Sequence, residues 1–134
     1  MSVYQKENPE YLRAAVESVL GQTVPPEEVV LVCDGPLTEA LDRVIAEYEE
    51  HEIACRVVRL PENGGLGKAL NEGLKYCSCE WIARMDTDDL SAPDRCEKQL
   101  KFLEEHPEVD AVSGTIAEFQ GEALDGKLAE KAIA

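Results

Sequence analysis

Val29-Val30-Leu31-Val32-Cys33 is an unbroken apolar run set between Glu27-Glu28 and the turn residues Asp34-Gly35-Pro36. A strand with one wet face alternates apolar and polar residues. A continuous run marks a strand covered on both faces, the condition of a parallel sheet between helices. The flanking sequence fits that condition. Met1 to Tyr4 reads as a first strand. Asn8-Pro9 opens a helix, with Asn8 as cap and Pro9 in the first turn. Leu12, Ala15, Val16, Val19 and Leu20 follow at helical spacing, and Gly21 and Pro25-Pro26 end it. Leu37, Leu41, Val44, Ile45 and Tyr48 line one face of a second helix. Ala54 to Leu60 reads as a strand stopped by Pro61. Leu66, Leu70, Gly73, Leu74 and Cys77 mark a third helical face, and Trp81 to Met85 a short strand. Pro93 starts a fourth helix, with Cys96, Leu100 and Leu103 inward, and His106-Pro107 closes it. Val109 to Ser113 reads as a further strand. From Phe119 the pattern weakens, and Lys127 to Ala134 is a helical fragment.

Alternation of this kind predicts an α/β domain, a mostly parallel sheet with helices on both faces. The 134 residues suffice for one such domain. Acids outnumber bases 28 to 13, a net charge of −15, which argues against binding nucleic acid or anionic membrane by bulk electrostatics. An anionic ligand would need a bridging cation or a ring of backbone N–H groups. No apolar run approaches the ~20 residues that span a bilayer, and the first six residues do not form a signal peptide. The five cysteines, Cys33, Cys55, Cys77, Cys79 and Cys96, are odd in number and read as reduced thiols of a cytoplasmic protein. Cys77-Ser78-Cys79 lacks zinc-site spacing, and no second pair answers it.

In parallel sheets ligands bind beyond the carboxyl ends of the strands. That edge holds Tyr4, Asp34, the loop around Gly64 and the turn Asp86-Thr87-Asp88-Asp89. A lone Asp-x-Asp is usually a solvated turn. Here it follows an apolar strand and precedes a helix start, which places three repelling carboxylates where a divalent cation would relieve them. Mg²⁺ or Mn²⁺ suits carboxylate, phosphate and water oxygens. An EF-hand fails, because Leu90 and Ser91 stand at loop positions 5 and 6 and the loop follows a strand. Asn63-Gly64-Gly65-Leu66-Gly67-Lys68 could bring backbone N–H groups to a phosphate at a helix start, or be only a tight turn. It is not a Walker A loop, since Ala69 follows Lys68. It half-matches a dinucleotide fingerprint, with Leu70 in place of the third glycine. Asp34 by itself is a turn residue more readily than a ligand contact, and Tyr4 by itself a packing residue more readily than a stacking one.

Taken together the motifs resemble one family, the family-2 glycosyltransferases. They are Ser2-Val3-Tyr4, Tyr11-Leu12, Ser18-Val19-Leu20-Gly21-Gln22-Thr23, Val32-Cys33-Asp34-Gly35, the Asn63 to Gly73 stretch, Ala83 to Asp89 and Pro93-Asp94-Arg95, in family order from Met1 to about Phe119. The branch resembled builds bacterial capsule, exopolysaccharide and lipopolysaccharide. The resemblance implies a three-layer, Rossmann-like GT-A nucleotide-diphospho-sugar fold. It implies transfer from a nucleotide-diphospho-sugar, most simply a UDP-sugar, to a glycan or lipid-linked acceptor, with Mn²⁺ or Mg²⁺ and with inversion. It places Ser2, Tyr4, Asp34, Gly67, Lys68 and Asp86 at the nucleotide, with Tyr4 stacking on the base and Asp34 contacting it. Asp88, with Asp86, would hold the metal. The full enzyme would work in the cytoplasm, at the inner face of the membrane.

Two departures qualify the match. The first strand is short for the family, and the family runs on past Ala134 into the half that carries the acceptor site and the general base. Residues 1–134 are therefore expected to be a truncated donor-binding portion, with 120–134 a weakly structured tail. No catalytic base is expected within the chain, and apolar surface left uncovered should favour self-association. Three other readings compete. A receiver-type signalling domain needs an acid pair where Tyr4-Gln5 stand and a lysine where Gly114-Thr115 stand. A nicotinamide-dependent oxidoreductase lacks its third glycine. A non-catalytic nucleotide-sugar-binding module differs from the enzyme only in lacking the base.

Overall fold

The computed structural model of the protein describes residues 1–118. In chain order the elements are β1 (Ser2–Val3), α1 (Pro9–Leu20), β2 (Glu28–Cys33), α2 (Glu39–Tyr48), β3 (Ala54–Arg59), α3 (Leu66–Leu74) and α4 (Arg95–Glu105). The three strands form one parallel sheet in the order β1-β2-β3. β2 is the central strand. Ser2 pairs with Val32 and Val3 with Cys33 on one side, and the register runs from Glu28–Ala54 to Cys33–Arg59 on the other.

The apolar run of β2 is buried because both of its faces are covered. Leu31 and Cys33 join Val3, Leu12, Val16, Leu41, Val44, Ile45 and Tyr48 in a core built with α1 and α2. Val30 and Val32 point the other way, to Val58 and Ala69 under α3. Alternate side chains of one strand thus enter two different cores, and the sheet is the middle of three layers.

Local signals set the element ends. Asn8 caps α1, its side chain accepting from the Glu10 N–H at 2.8 Å. Thr38 caps α2 through the Leu41 N–H at 3.3 Å. Gly35, at φ +88°, turns the chain out of β2. A Cβ there would lie 2.6 Å from the Asn63 backbone nitrogen, so the turn after β2 abuts the loop after β3.

Three expectations need correction. Trp81 to Met85 does not form a strand: Met85 is buried, while Trp81 and Ile82 are exposed. β1 offers an edge of only two residues, and its Ser2 carbonyl accepts from the Thr87 hydroxyl at 3.0 Å rather than from a backbone ladder. Val109 to Ser113 is likewise irregular, half-buried at best, and pairs with no strand among the described residues. The inward face of α3 is Ala69 and Gly73, and Leu66 and Leu74 stand exposed. The expected helical fragment from Lys127 and the tail at 120–134 lie outside the described residues. No helix among the described residues is long and apolar enough to cross a membrane.

Candidate functional site

Beyond the carboxyl ends of β1, β2 and β3 lies a cleft of about 400 Å³. Ser2, Tyr4 and Glu7 come from β1 and the loop after it, and Asp34 from the end of β2. Asn63, Gly65 and Leu66 come from the loop into α3, and Asp86, Thr87 and Asp88 from the acidic turn. The loops after β1, β2 and β3 meet here because parallel strands deliver their outgoing loops to one edge, whereas the acidic turn follows no strand and is tied in by Thr87.

Asp34 is the most tightly built of these residues. It is 4% exposed, and its backbone N–H donates to the Val3 carbonyl at 2.8 Å. Its carboxylate accepts from two consecutive backbone groups, Oδ1 from Gly64 N–H at 2.7 Å and Oδ2 from Gly65 N–H at 3.0 Å. The Asn63 side-chain amide donates to the Asp34 carbonyl at 3.3 Å. The aspartate therefore moulds the glycine loop as well as lining the cleft. Each carboxylate oxygen keeps a further lone pair for a donor from a ligand. α3 has Gly65 as its N-cap and no acid in its own first turn, and the Asp34 carboxylate stands at the positive end of its dipole instead.

The acidic turn is held by its middle residue. Thr87 is buried, its hydroxyl within reach of the Ser2 carbonyl at 3.0 Å and of Glu7 Oε2 at 3.1 Å. Asp86 lies 3.3 Å from Arg84 Nη2, and Asp88 is exposed at the rim. Burial, with the like charges of Asp88 and Asp86, pushes the Asp89 carboxyl above its ordinary value. Burial likewise raises Glu7, against the lowering effect of the Thr87 hydrogen bond, and Asp88 and Asp86 add to the rise. The cleft thus gathers more carboxylate than it neutralises.

Among the described residues no three His, Cys, Asp or Glu side chains converge into a ready metal cage. Mg²⁺ or Mn²⁺ is commonly held by one or two carboxylates and completes its shell with water and phosphate oxygens. Asp86 and Asp88, which both line the cleft, are the carboxylates that could supply such a pair.

Residues 1–131 match the family model described as Glycosyl transferase family 2. The chain belongs to glycosyltransferase family 2. An uncharacterised glycosyltransferase of Haemophilus influenzae is 52% identical over 119 residues, which cover 89% of this chain and 44% of that one. An Escherichia coli UDP-Gal:alpha-D-GlcNAc-diphosphoundecaprenol beta-1,3-galactosyltransferase is 34% identical over 120 residues, 90% of this chain and 43% of its own. Among solved structures, Staphylococcus aureus TarS 1-349 in complex with UDP aligns with TM-score 0.67 and 27% identity, over 79% of this chain and 32% of that chain. The chain spans less than half the length of these relatives. The fold is the GT-A arrangement, and the receiver and oxidoreductase readings fall away.

Of the residues expected at the nucleotide and metal, this family-2 chain brings Ser2, Tyr4, Asp34, Asp86 and Asp88 into one cleft. Gly67 and Lys68 are outside its lining, and Gly65 and Leu66 take their place. The Lys68 stem instead lies across Gly64, where a Cβ would meet its Cδ at 2.5 Å. Sequence reasoning missed Glu7, Asn63 and Thr87. Asn63 and Thr87 stand inside quoted motifs, and the available clue was a polar residue just before Gly64 in one and between Asp86 and Asp88 in the other. Glu7 carried no such signal.

Proposed function

We propose that this chain is the donor-binding portion of a glycosyltransferase that takes its sugar from a nucleotide-diphospho-sugar, and specifically a UDP-sugar. One observation carries the reading: Tyr4 and Asp34 stand in the same cleft as Asp86 and Asp88, at the carboxyl edge of a parallel sheet. An exposed ring and a buried acid suit a base, and a pair of rim acids suits a metal-bound diphosphate. The UDP named for the TarS structure and the UDP-Gal named for the E. coli relative support the nucleotide.

In this reading Tyr4 stacks on the base and Asp34 accepts from a base N–H through its remaining lone pairs. Asp88, with Asp86, holds Mn²⁺ or Mg²⁺. When bound, the cation supplies the positive charge that stabilises the leaving nucleoside diphosphate. Ser2 and Thr87 keep the turn at the right distance from β1.

Transfer is to a glycan or lipid-linked acceptor in surface polysaccharide synthesis, with inversion, and residues 1–134 are one donor unit. The diphosphoundecaprenol acceptor named for the E. coli relative supports the acceptor class. A cytoplasmic site of action accords with five free thiols. The acceptor site and the general base are assigned to the part that the longer relatives carry. The chain alone is then expected to release UDP from a donor slowly and without stimulation by acceptors. General-base assistance alone is worth about 10²–10⁴-fold.

Calorimetric titration with UDP tests the reading. Binding is expected with Mn²⁺ and to be lost in excess chelator. Asp88→Asn is expected to weaken metal-assisted binding by about tenfold or more, the scale of one lost charged contact. Asp89→Asn should weaken it less. Equal UDP affinity in chelator would overturn the metal assignment, and acceptor-stimulated release by this chain would place a base within it.

A further inference from the structure

The stretch Ser18 to Thr23 takes no part in the cleft, yet it is tied to the chain just beyond the acidic turn. Gln22 is 5% exposed and fully used. Its Nε2 donates to the Ser18 carbonyl at 2.9 Å and to the Ala92 carbonyl at 2.7 Å. Its Oε1 accepts from the Cys96 N–H at 3.0 Å. Only this orientation of the amide satisfies two carbonyls and one N–H.

The neighbours of Gln22 repeat the tie. Ser18 Oγ accepts from the Ser91 N–H at 3.0 Å. The Thr23 N–H donates to the Pro93 carbonyl at 2.8 Å, and its hydroxyl donates to Glu97 at 2.7 Å. α4 lacks a cap of its own, because Asp94 makes no side-chain cap bond. Gln22, 74 positions upstream, fills that role by accepting from a first-turn N–H.

Residues 81–94 contain no helix or strand. The acidic turn therefore owes its position to point attachments. Thr87 ties it to β1, and Arg95 holds its approach through the Arg84 carbonyl at 3.0 Å. The end of α1 holds its exit.

We infer that Gln22 is a positioning residue for the donor site: it locks the exit of the Asp86–Asp89 turn onto the end of α1 and so sets where Asp86 and Asp88 stand over the cleft. It touches no ligand. Its functional half rests on the donor-site reading above.

The test compares the 134-residue chain with Gln22→Met, which keeps the length and removes all three hydrogen bonds. Ser18→Ala removes one tie from a smaller side chain. Val44→Ala, in the α2 core, is the control for general destabilisation. Amide hydrogen exchange is measured without ligand, and UDP affinity with Mn²⁺. Gln22→Met is expected to speed exchange across 86–96, the Cys96 amide included, while β2 amides stay protected. Its UDP·Mn²⁺ affinity should fall at least fivefold, with a smaller fall of the same kind in Ser18→Ala. Val44→Ala should lower the melting temperature and leave affinity unchanged.

Unchanged exchange at 86–96, or an equal rise in β2, would overturn the anchoring. A loosened turn with full affinity would overturn the positioning role. If the unaltered chain bound no UDP with Mn²⁺, the donor reading would fall and take the functional half with it, while the exchange pattern would still decide the anchoring. Should Gln22→Met fail to fold, Ser18→Ala decides both halves.

Discussion

At the scale of single residues, Asp34 combines two duties that the sequence shows only in part. Its place after an apolar run and before Gly35 marks the end of a buried strand. Its clamp on Gly64 and Gly65 depends on a loop thirty positions away, which no local pattern reports. Asp34→Asn replaces one acceptor oxygen with a donor that faces a backbone N–H. It is expected to cost about 1–3 kcal/mol of stability, as a buried group loses its partner, and to weaken UDP binding as well. Chemical denaturation and titration of the same variant check both. Glu7 gives a pH signature. Its folded value lies above its unfolded one, so the fold favours the protonated form. Whatever stability that form lends is present below the unfolded carboxyl range near ~4.3 and is lost as pH rises through the folded value. Glu7→Gln, melted in chelator, should therefore gain on the unaltered chain between pH 4 and pH 7. A constant difference across that range would count against it.

At the scale of elements, the helices were more readable than the strands. Asn8 and the apolar spacing of α1 and α2 are local signals, and the structure uses them as read. Trp81 to Met85 has the composition of a strand but no backbone edge to pair with, because pairing is a property of two segments and sequence shows one. The face of α3 was misread for a related reason. The expected face held Gly73, which is buried, but also marked Leu66 and Leu74 for their size, whereas close approach to β2 puts the small residue Ala69 beside Gly73. A Cβ on Gly73 would lie 2.8 Å from Val32 Cγ2, within the core. Gly73→Ala should thus destabilise the protein by about 1–2 kcal/mol through overpacking, despite the ~1 kcal/mol that alanine gains in helix propensity. A rise in melting temperature would show that α3 has room to lift from the sheet.

At the scale of the whole molecule, charge and apolar surface oppose each other. Leu66, Leu74, Trp81 and Ile82 are exposed on a chain of net charge −15. Repulsion should keep copies apart at low ionic strength, and added salt should screen it and let these apolar residues associate. Sedimentation of the chain in rising NaCl is expected to show a growing dimer or larger species. A monomer at every salt and protein concentration would mean that these residues are too scattered to act as one surface. Most parts of the cleft were legible as motifs, Glu7 excepted, and the convergence of the loops after β1, β2 and β3 followed from the parallel sheet. The bonds that hold the acidic turn were not legible, since Thr87 reaches Ser2 across 85 positions and Gln22 reaches Ala92 across 70. Those spans bear on how the chain is made. On a ribosome, β1, β2, β3 and their three helices can assemble once Leu74 has cleared the exit tunnel. The acidic turn gains its last moorings only when Cys96 and Glu97 follow. A nascent chain halted between those points would carry the finished sheet and an unmoored acidic turn.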